Sequence, residues 1–171
     1  MTQIQSLKSD LVAFGAAYSY DVTYVTDLVD DALPVYEAFM SAQPLLSYRK
    51  ELPLDAYWIA RISAALTDDC GACAQLGLRR AVQEGVSRDL LRQMLDAPEQ
   101  LPGALADVQA HARAVCGHEP DDAGRAGRLR AAYGSAGLAE IALGILAGRM
   151  YPTLKRGLSR VESCARPNLD F

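Results

Sequence analysis

Apolar residues recur along this chain at the spacing of an α-helix and nowhere at the spacing of a strand. Ile4, Leu7, Leu11, Phe14 and Tyr18 advance by alternating steps of three and four, which places them on one side of a helix. Val22, Val25, Leu28, Val29 and Ala32 form a second stripe, closed by Pro34. Val35, Ala38 and Phe39 make a short third segment. Pro53 suits a first helical position, and Asp55, Trp58, Ile59, Ile62, Ala65 and Leu66 follow it. After Thr67-Asp68-Asp69 a helix is expected to about Glu84, with Gly85 able to take the left-handed conformation that ends it. Ser87 opens a short helix through Leu91 and Leu95 that Pro98 stops. Further helices are expected over 101–116 up to Gly117, from Asp121 or Asp122 to Gly134, and over 137–150, the last stopped near Pro152.

These stripes predict a single all-α domain over residues 1–171, a multi-helix bundle. Val, Ile and Thr are too sparse for a sheet, and no repeat or long linker divides the chain. Half the residues are apolar and 22% are charged, so the chain is able to bury a core and does not read as disordered. Seventeen Lys and Arg against 21 Asp and Glu, with no basic stripe, argue against nucleic acid and against an anionic membrane surface. Residues 1–20 lack a basic leader and carry Asp10, so they do not read as a signal peptide. The apolar run Ile141–Ala147 is too short to cross a bilayer. A cytoplasmic location is expected.

In a reducing compartment, close cysteine pairs more often serve redox or metal chemistry than structure. Cys70-Gly71-Ala72-Cys73 is such a pair, and the pattern puts it at a helix start. There, unpaired backbone N–H groups and the helix dipole stabilise a thiolate, bringing a thiol pKa of about 8.5 towards neutrality. One thiolate then attacks a peroxide or disulfide, and its partner closes the bridge. Asp68 and Asp69 oppose ionisation unless they are engaged in capping, whereas Arg79 and Arg80 favour it. No metal or other cofactor is expected.

The stretch PLDAYWIARISAALTDDCGACAQLGLRRAVQEGVS resembles the core of the carboxymuconolactone decarboxylase-like proteins, which include alkylhydroperoxidase D. GRMYPTLKRGLSRVESC and Tyr20-Asp21-Val22-Thr23-Tyr24 resemble the ends of an uncharacterised branch of that group. The resemblance implies an all-helical bundle of the alkylhydroperoxidase D-like type with CxxC at a helix N-terminus. It further implies a homo-oligomer (trimer, hexamer or dimer), a peroxide or small-molecule substrate, and a separate thiol-disulfide protein as reductant. Carried over, Cys73 attacks the peroxide and Cys70 resolves it. The family's peroxidase pattern also has a Glu twelve residues before the first cysteine and a His four after the second; Trp58 and Gly77 stand there instead. The proton relay those two residues form is missing.

Candidates to replace it are Asp68 and Asp69, which lie nearest, and His111, from a helix that can fold back; Arg80 is a candidate for tuning the thiolate. Asp at a helix start ordinarily caps it, and Glu84 is expected to be solvated. Trp58 reads as packing in place of an acid. The tyrosines Tyr18, Tyr20, Tyr24, Tyr36, Tyr48 and Tyr57 read most simply as core-edge residues, with a pocket or subunit interface as the alternative. Cys116 and Cys164 read as ordinary residues. A zinc site of Cys70, Cys73, His111, Cys116 and His118 is a minor rival, given its irregular spacing. Two functional readings remain: a thiol peroxidase or disulfide oxidoreductase, and a non-catalytic helical oligomer that binds a small apolar ligand or a protein.

Overall fold

The computed structural model describes residues 2–121, 124–160 and 166–171. Asp122 and Cys164 lie outside them. The described residues fold into helices and connecting turns with no strand. Nine α-helices follow in order: α1 Gln3–Tyr18, α2 Thr23–Asp31, α3 Leu33–Met40, α4 Gln43–Leu46, α5 Leu54–Thr67, α6 Gly71–Glu84, α7 Arg88–Asp96, α8 Leu105–Gly117 and α9 Arg125–Gly157. A 3₁₀ turn, Pro98–Gln100, joins α7 to α8.

Local chemistry sets many of the ends. Thr2 and Gln5 exchange side-chain and backbone hydrogen bonds in a capping box at the start of α1. Gly85 ends α6 at φ 108°, a conformation that suits a residue without Cβ. Asp121 takes the amides of Arg125 and Ala126, satisfying two of the open donors at the start of α9.

Two boundaries differ from the sequence expectation, and a break at Gly134 falls where expected. The helix expected from residue 101 begins at Leu105, after Pro102 and the left-handed Gly103. The two helices expected on either side of Gly134 are both present within the α9 span, separated at that residue by non-helical backbone at φ 71° and ψ 177°. That span passes through Pro152 and ends at Gly157. Proline removes one backbone hydrogen bond, but Tyr151 and Leu154 pack into the N-terminal apolar cluster and hold the last turns in place. The merged α9 contains an 18-residue window of mean hydropathy 1.3, enough by length and composition to cross a bilayer, and 39% of that window is buried within the fold.

α5 is the centre. Ala56, Tyr57, Trp58, Ile59 and Ala60 are consecutive buried residues, as expected of a helix covered on every side. α6, α8 and α9 pack against it, and α6 also touches α9. The approach of α9 to α5 depends on glycine. A Cβ on Gly148 would stand 2.2 Å from the Arg61 carbonyl oxygen and 2.9 Å from Ala64 Cβ. A second cluster, from Tyr20, Tyr24, Val25, Leu28, Val29 and Tyr36, gathers α1 to α3 into a separate apolar layer. Between α4 and α5 the chain is tied down by Glu140, which is 4% exposed. Its carboxylate accepts the amides of Lys50, Glu51 and Leu52. Burial works to raise that carboxyl's pKa, but the three amides outweigh it and the net direction is downward.

Candidate active site

α6 begins immediately after Cys70, and Cys73 sits in its first turn. The turn before it is built by Asp69 at φ 51°, exposed and left-handed, a conformation Asp tolerates better than most residues. Cys70 N–H donates to the Ala65 carbonyl and Cys70 C=O accepts from Ala74, which fixes the entry to the helix. The two sulfurs lie 2.6 Å apart, closer than ordinary non-bonded contact, and both are thiols. Cys70 is buried and Cys73 half-buried.

Cys73 faces a cavity of about 450 Å³ whose wall is mostly apolar. The void lies where the N-terminal layer meets the central one. α1 contributes Leu7, Leu11 and Phe14, α2 contributes Tyr24 and Val25, α5 contributes Trp58, Arg61 and Ile62, and α9 contributes Gly148 and Tyr151. Along α6 the lining residues are Cys73, Leu76, Gly77 and Arg80, one face of the helix over seven residues.

At the thiol end, the Tyr20 hydroxyl is 3.6 Å from Cys73 Sγ and 3.0 Å from the Tyr24 hydroxyl. Lys155, 7% exposed, sits over both rings, its Nζ 4.4 Å from the centre of Tyr20 and 4.6 Å from that of Tyr24. The Cys73 thiol is pushed well above its ordinary value, first by its shared hydrogen bond with Cys70 and then by burial. Tyr20 and Lys155 pull the other way without reversing it. Tyr20 is itself raised, chiefly by burial, so it stays a neutral phenol able to donate. The helix-start argument for a thiolate near neutrality therefore loses to burial and to the neighbouring sulfur.

The far end is different. Arg61 and Arg80 both lie over the Trp58 indole, at 5.2 and 5.6 Å. Trp58 Nε1 donates to Glu84 at 3.0 Å, and Glu84 pairs with Arg80 at 3.4 Å. Gln43 donates to the Tyr151 hydroxyl at 2.6 Å. Trp58 thus does more than pack, and its acceptor Glu84 is exposed, as expected. Gly77 leaves no room for a side chain: a Cβ there would stand 2.9 Å from Ile62 Cγ1, so a histidine would enter only by displacing that side chain.

The other sequence candidates fall elsewhere. Asp68 is buried and bound to Arg149 at 3.1 Å, while its carbonyl accepts from Arg156. Asp69 is outside the cavity wall. His111 lies on α8 with Asp121 and Arg125 as its charged neighbours, and its pKa is lowered chiefly by burial. Cys116 is buried on α8, with Arg149 and Asp68 as its charged neighbours. Among the described residues no three of His, Cys, Asp and Glu converge on a metal position. Of the named candidates the cavity gathers Cys73 and Arg80.

Sequence reasoning missed Lys155 beside the sulfur, and Arg61, Gln43 and Tyr151 at the far end, and it gave Tyr20 and Tyr24 no role at the thiol. The tyrosines stand out as a group, read most simply as core-edge residues with a pocket or interface as the alternative; three of that group, Tyr20, Tyr24 and Tyr36, line the void. No family model, curated protein or solved structure matches the chain.

Proposed function

We propose that the protein is a dithiol oxidoreductase that reduces a peroxide bound in the cavity, with Cys73 attacking and Cys70 resolving. The observation that carries this reading is that one sulfur does two things. Cys73 Sγ opens on the cavity and also lies 2.6 Å from Cys70 Sγ, which is not in the wall. The resemblance to the alkylhydroperoxidase D-like proteins supports the same assignment of roles, and with it a homo-oligomer and an external reductant.

The chemistry balances as follows. The Cys73 thiolate attacks the terminal peroxide oxygen; an S–O bond forms, the O–O bond breaks, and the departing alkoxide takes a proton to leave as an alcohol. Cys70, as thiolate, then attacks the sulfenic sulfur, forming the disulfide and releasing water. Two thiols and one hydroperoxide give one disulfide, one alcohol and one water. A separate dithiol protein returns the pair to thiols by exchange. With no Glu at 58 and no His at 77, the thiolate is supported by the Tyr20 hydroxyl and the Lys155 ammonium, which supply hydrogen bonding and charge but no base. The proton must leave to solvent.

Mild peroxide followed by mass spectrometry tests the reading. A Cys70–Cys73 disulfide is expected in the wild type, with no thiol loss at position 70 in Cys73→Ser. Failure of the wild type to form that bridge removes the proposal.

One observation favours the second reading, a ligand-binding oligomer without catalysis. The Cys73 thiol is raised, and a protonated thiol is a poor nucleophile. On that reading the cavity binds a small apolar molecule, and the thiols stay reduced at peroxide levels that oxidise free cysteine.

A further inference from the structure

The two ends of the cavity have unlike chemistry: at the thiol end the Lys155 ammonium is covered by the Tyr20 and Tyr24 rings and is not in the wall, whereas the other end puts the guanidiniums of Arg61 and Arg80 in it. Charged groups are rarely withdrawn from water unless they are paired. Arg80 has Glu84. Arg61 is half-buried and makes no ion pair among the described residues; its Nη1 donates to the Leu46 carbonyl at 2.7 Å and to the Tyr57 hydroxyl at 2.9 Å. Its Nη2 and Nε have no hydrogen-bond acceptor among the described residues. Both guanidiniums act on the Tyr151 hydroxyl, which accepts from Gln43 and so keeps its own proton to donate. Among the described residues the one carboxylate in the wall, Asp10, is exposed and lies near Tyr36.

We propose that this end is a carboxylate subsite: Arg61 and Arg80, gathered over the Trp58 indole, hold the head of an amphipathic organic acid whose apolar body runs along α6 to Cys73. A guanidinium matches a carboxylate in plane and in hydrogen-bond spacing, and one negative charge is what Arg61 lacks. Cys73 and Arg80 are seven residues apart on one helix face, a rise of about 10 Å. A medium-chain acid spans that distance, and a cavity of about 450 Å³ holds one. The substrate class is then a carboxylate-bearing alkyl hydroperoxide, with its reactive oxygens at the end remote from the carboxylate. That last step rests on the redox reading; binding of the acid does not.

Trp58 is the sole tryptophan, so its fluorescence reports on the subsite. Decanoate and decanol are titrated into the reduced protein without peroxide. Decanoate is expected to bind at least tenfold more tightly than decanol. Arg80→Gln should weaken decanoate several-fold and spare decanol, and Arg61→Gln should remove the preference. Arg61 also supports Leu46 and Tyr57, so if its variant does not fold, Arg80→Gln decides alone. Equal affinity for acid and alcohol in the wild type, or an unchanged preference in the folded variants, overturns the proposal. A second arm separates the two readings: thiol loss with a neutral hydroperoxide, but no binding of decanoate, defeats the subsite and leaves the redox chemistry. Arginine-dependent binding of decanoate, with no thiol loss from any hydroperoxide, does the reverse.

Discussion

At Cys73 three influences compete, and their signs are opposed. The first turn of a helix favours a thiolate; burial and a second sulfur at 2.6 Å disfavour it; Tyr20 and Lys155 favour it again. The thiol ends up raised, so less of it is ionised at neutral pH than of a free cysteine. Alkylation of Cys73 by iodoacetamide should therefore be slow at pH 7 and still climb about tenfold per pH unit above pH 9, where a free thiol of pKa about 8.5 is levelling. A plateau reached by pH 8 would contradict this. Tyr20→Phe and Lys155→Met each remove a group that favours the thiolate. Each should slow the reaction roughly fivefold at fixed pH, the equivalent of about 1 kcal/mol. Little of this balance was legible from the sequence. Cys70 and Cys73 announce themselves by spacing, but Tyr20 and Lys155 lie 53 and 82 residues from Cys73 along the chain. Of the two nearest charged candidates, Asp68 is instead consumed by Arg149 and Asp69 lies outside the cavity wall.

Helix ends and faces were more readable than helix lengths, because a stop signal acts only where packing does not override it. Gly85 stops α6 as expected, and α8 ends at Gly117 as expected, although the left-handed residue there is His118. Pro152 does not stop α9, since the residues after it bury against the N-terminal layer. Gly134 interrupts α9 where a stop is expected, its backbone non-helical at φ 71° and ψ 177°. Gly144 and Gly148 stand one turn apart where α9 meets α5, and their spacing alone does not rank them. The space around each does. A Cβ at Gly144 meets Ala60 Cβ at 3.5 Å, an ordinary contact, whereas one at Gly148 meets the Arg61 carbonyl at 2.2 Å. Gly148→Ala should destabilise the fold by about 1–3 kcal/mol, because backbone cannot yield as a side chain does. It should also displace Arg61 from the cavity wall. Gly144→Ala should be close to neutral, since the helix propensity gained offsets any small shift. Urea unfolding of the two variants checks the contrast, and equal losses would mean that α9 does not meet α5 as described.

For the whole molecule, the site exists because two apolar clusters meet imperfectly. Periodicity tells which face of each helix is buried; it does not tell whether the face opposite is packed or leaves a void. That is why the all-α architecture could be read from the stripes and the cavity could not. The clusters also differ in what holds them. α5 is packed by α6, α8 and α9, with Ala56, Ile59, Ala60 and Ile62 at most 1% exposed. α1 to α3 are short or half-exposed, and several of their inward residues face the void rather than another side chain. Voids forfeit dispersion contacts, so the N-terminal layer should open at lower free energy than the centre. In hydrogen exchange of the reduced, ligand-free protein, amides of α1 to α3 should exchange before those of α5 and the second half of α9. Opening of that layer gives a route to Cys73 that the closed form narrows. An occupant that bridges Trp58 on α5 and Tyr24 on α2 should slow exchange in α2 more than in α8, which contributes no residue to the wall. Uniform protection across both layers would instead make the molecule one cooperative unit, and access to the thiol would then have to come without any separate motion of the N-terminal helices.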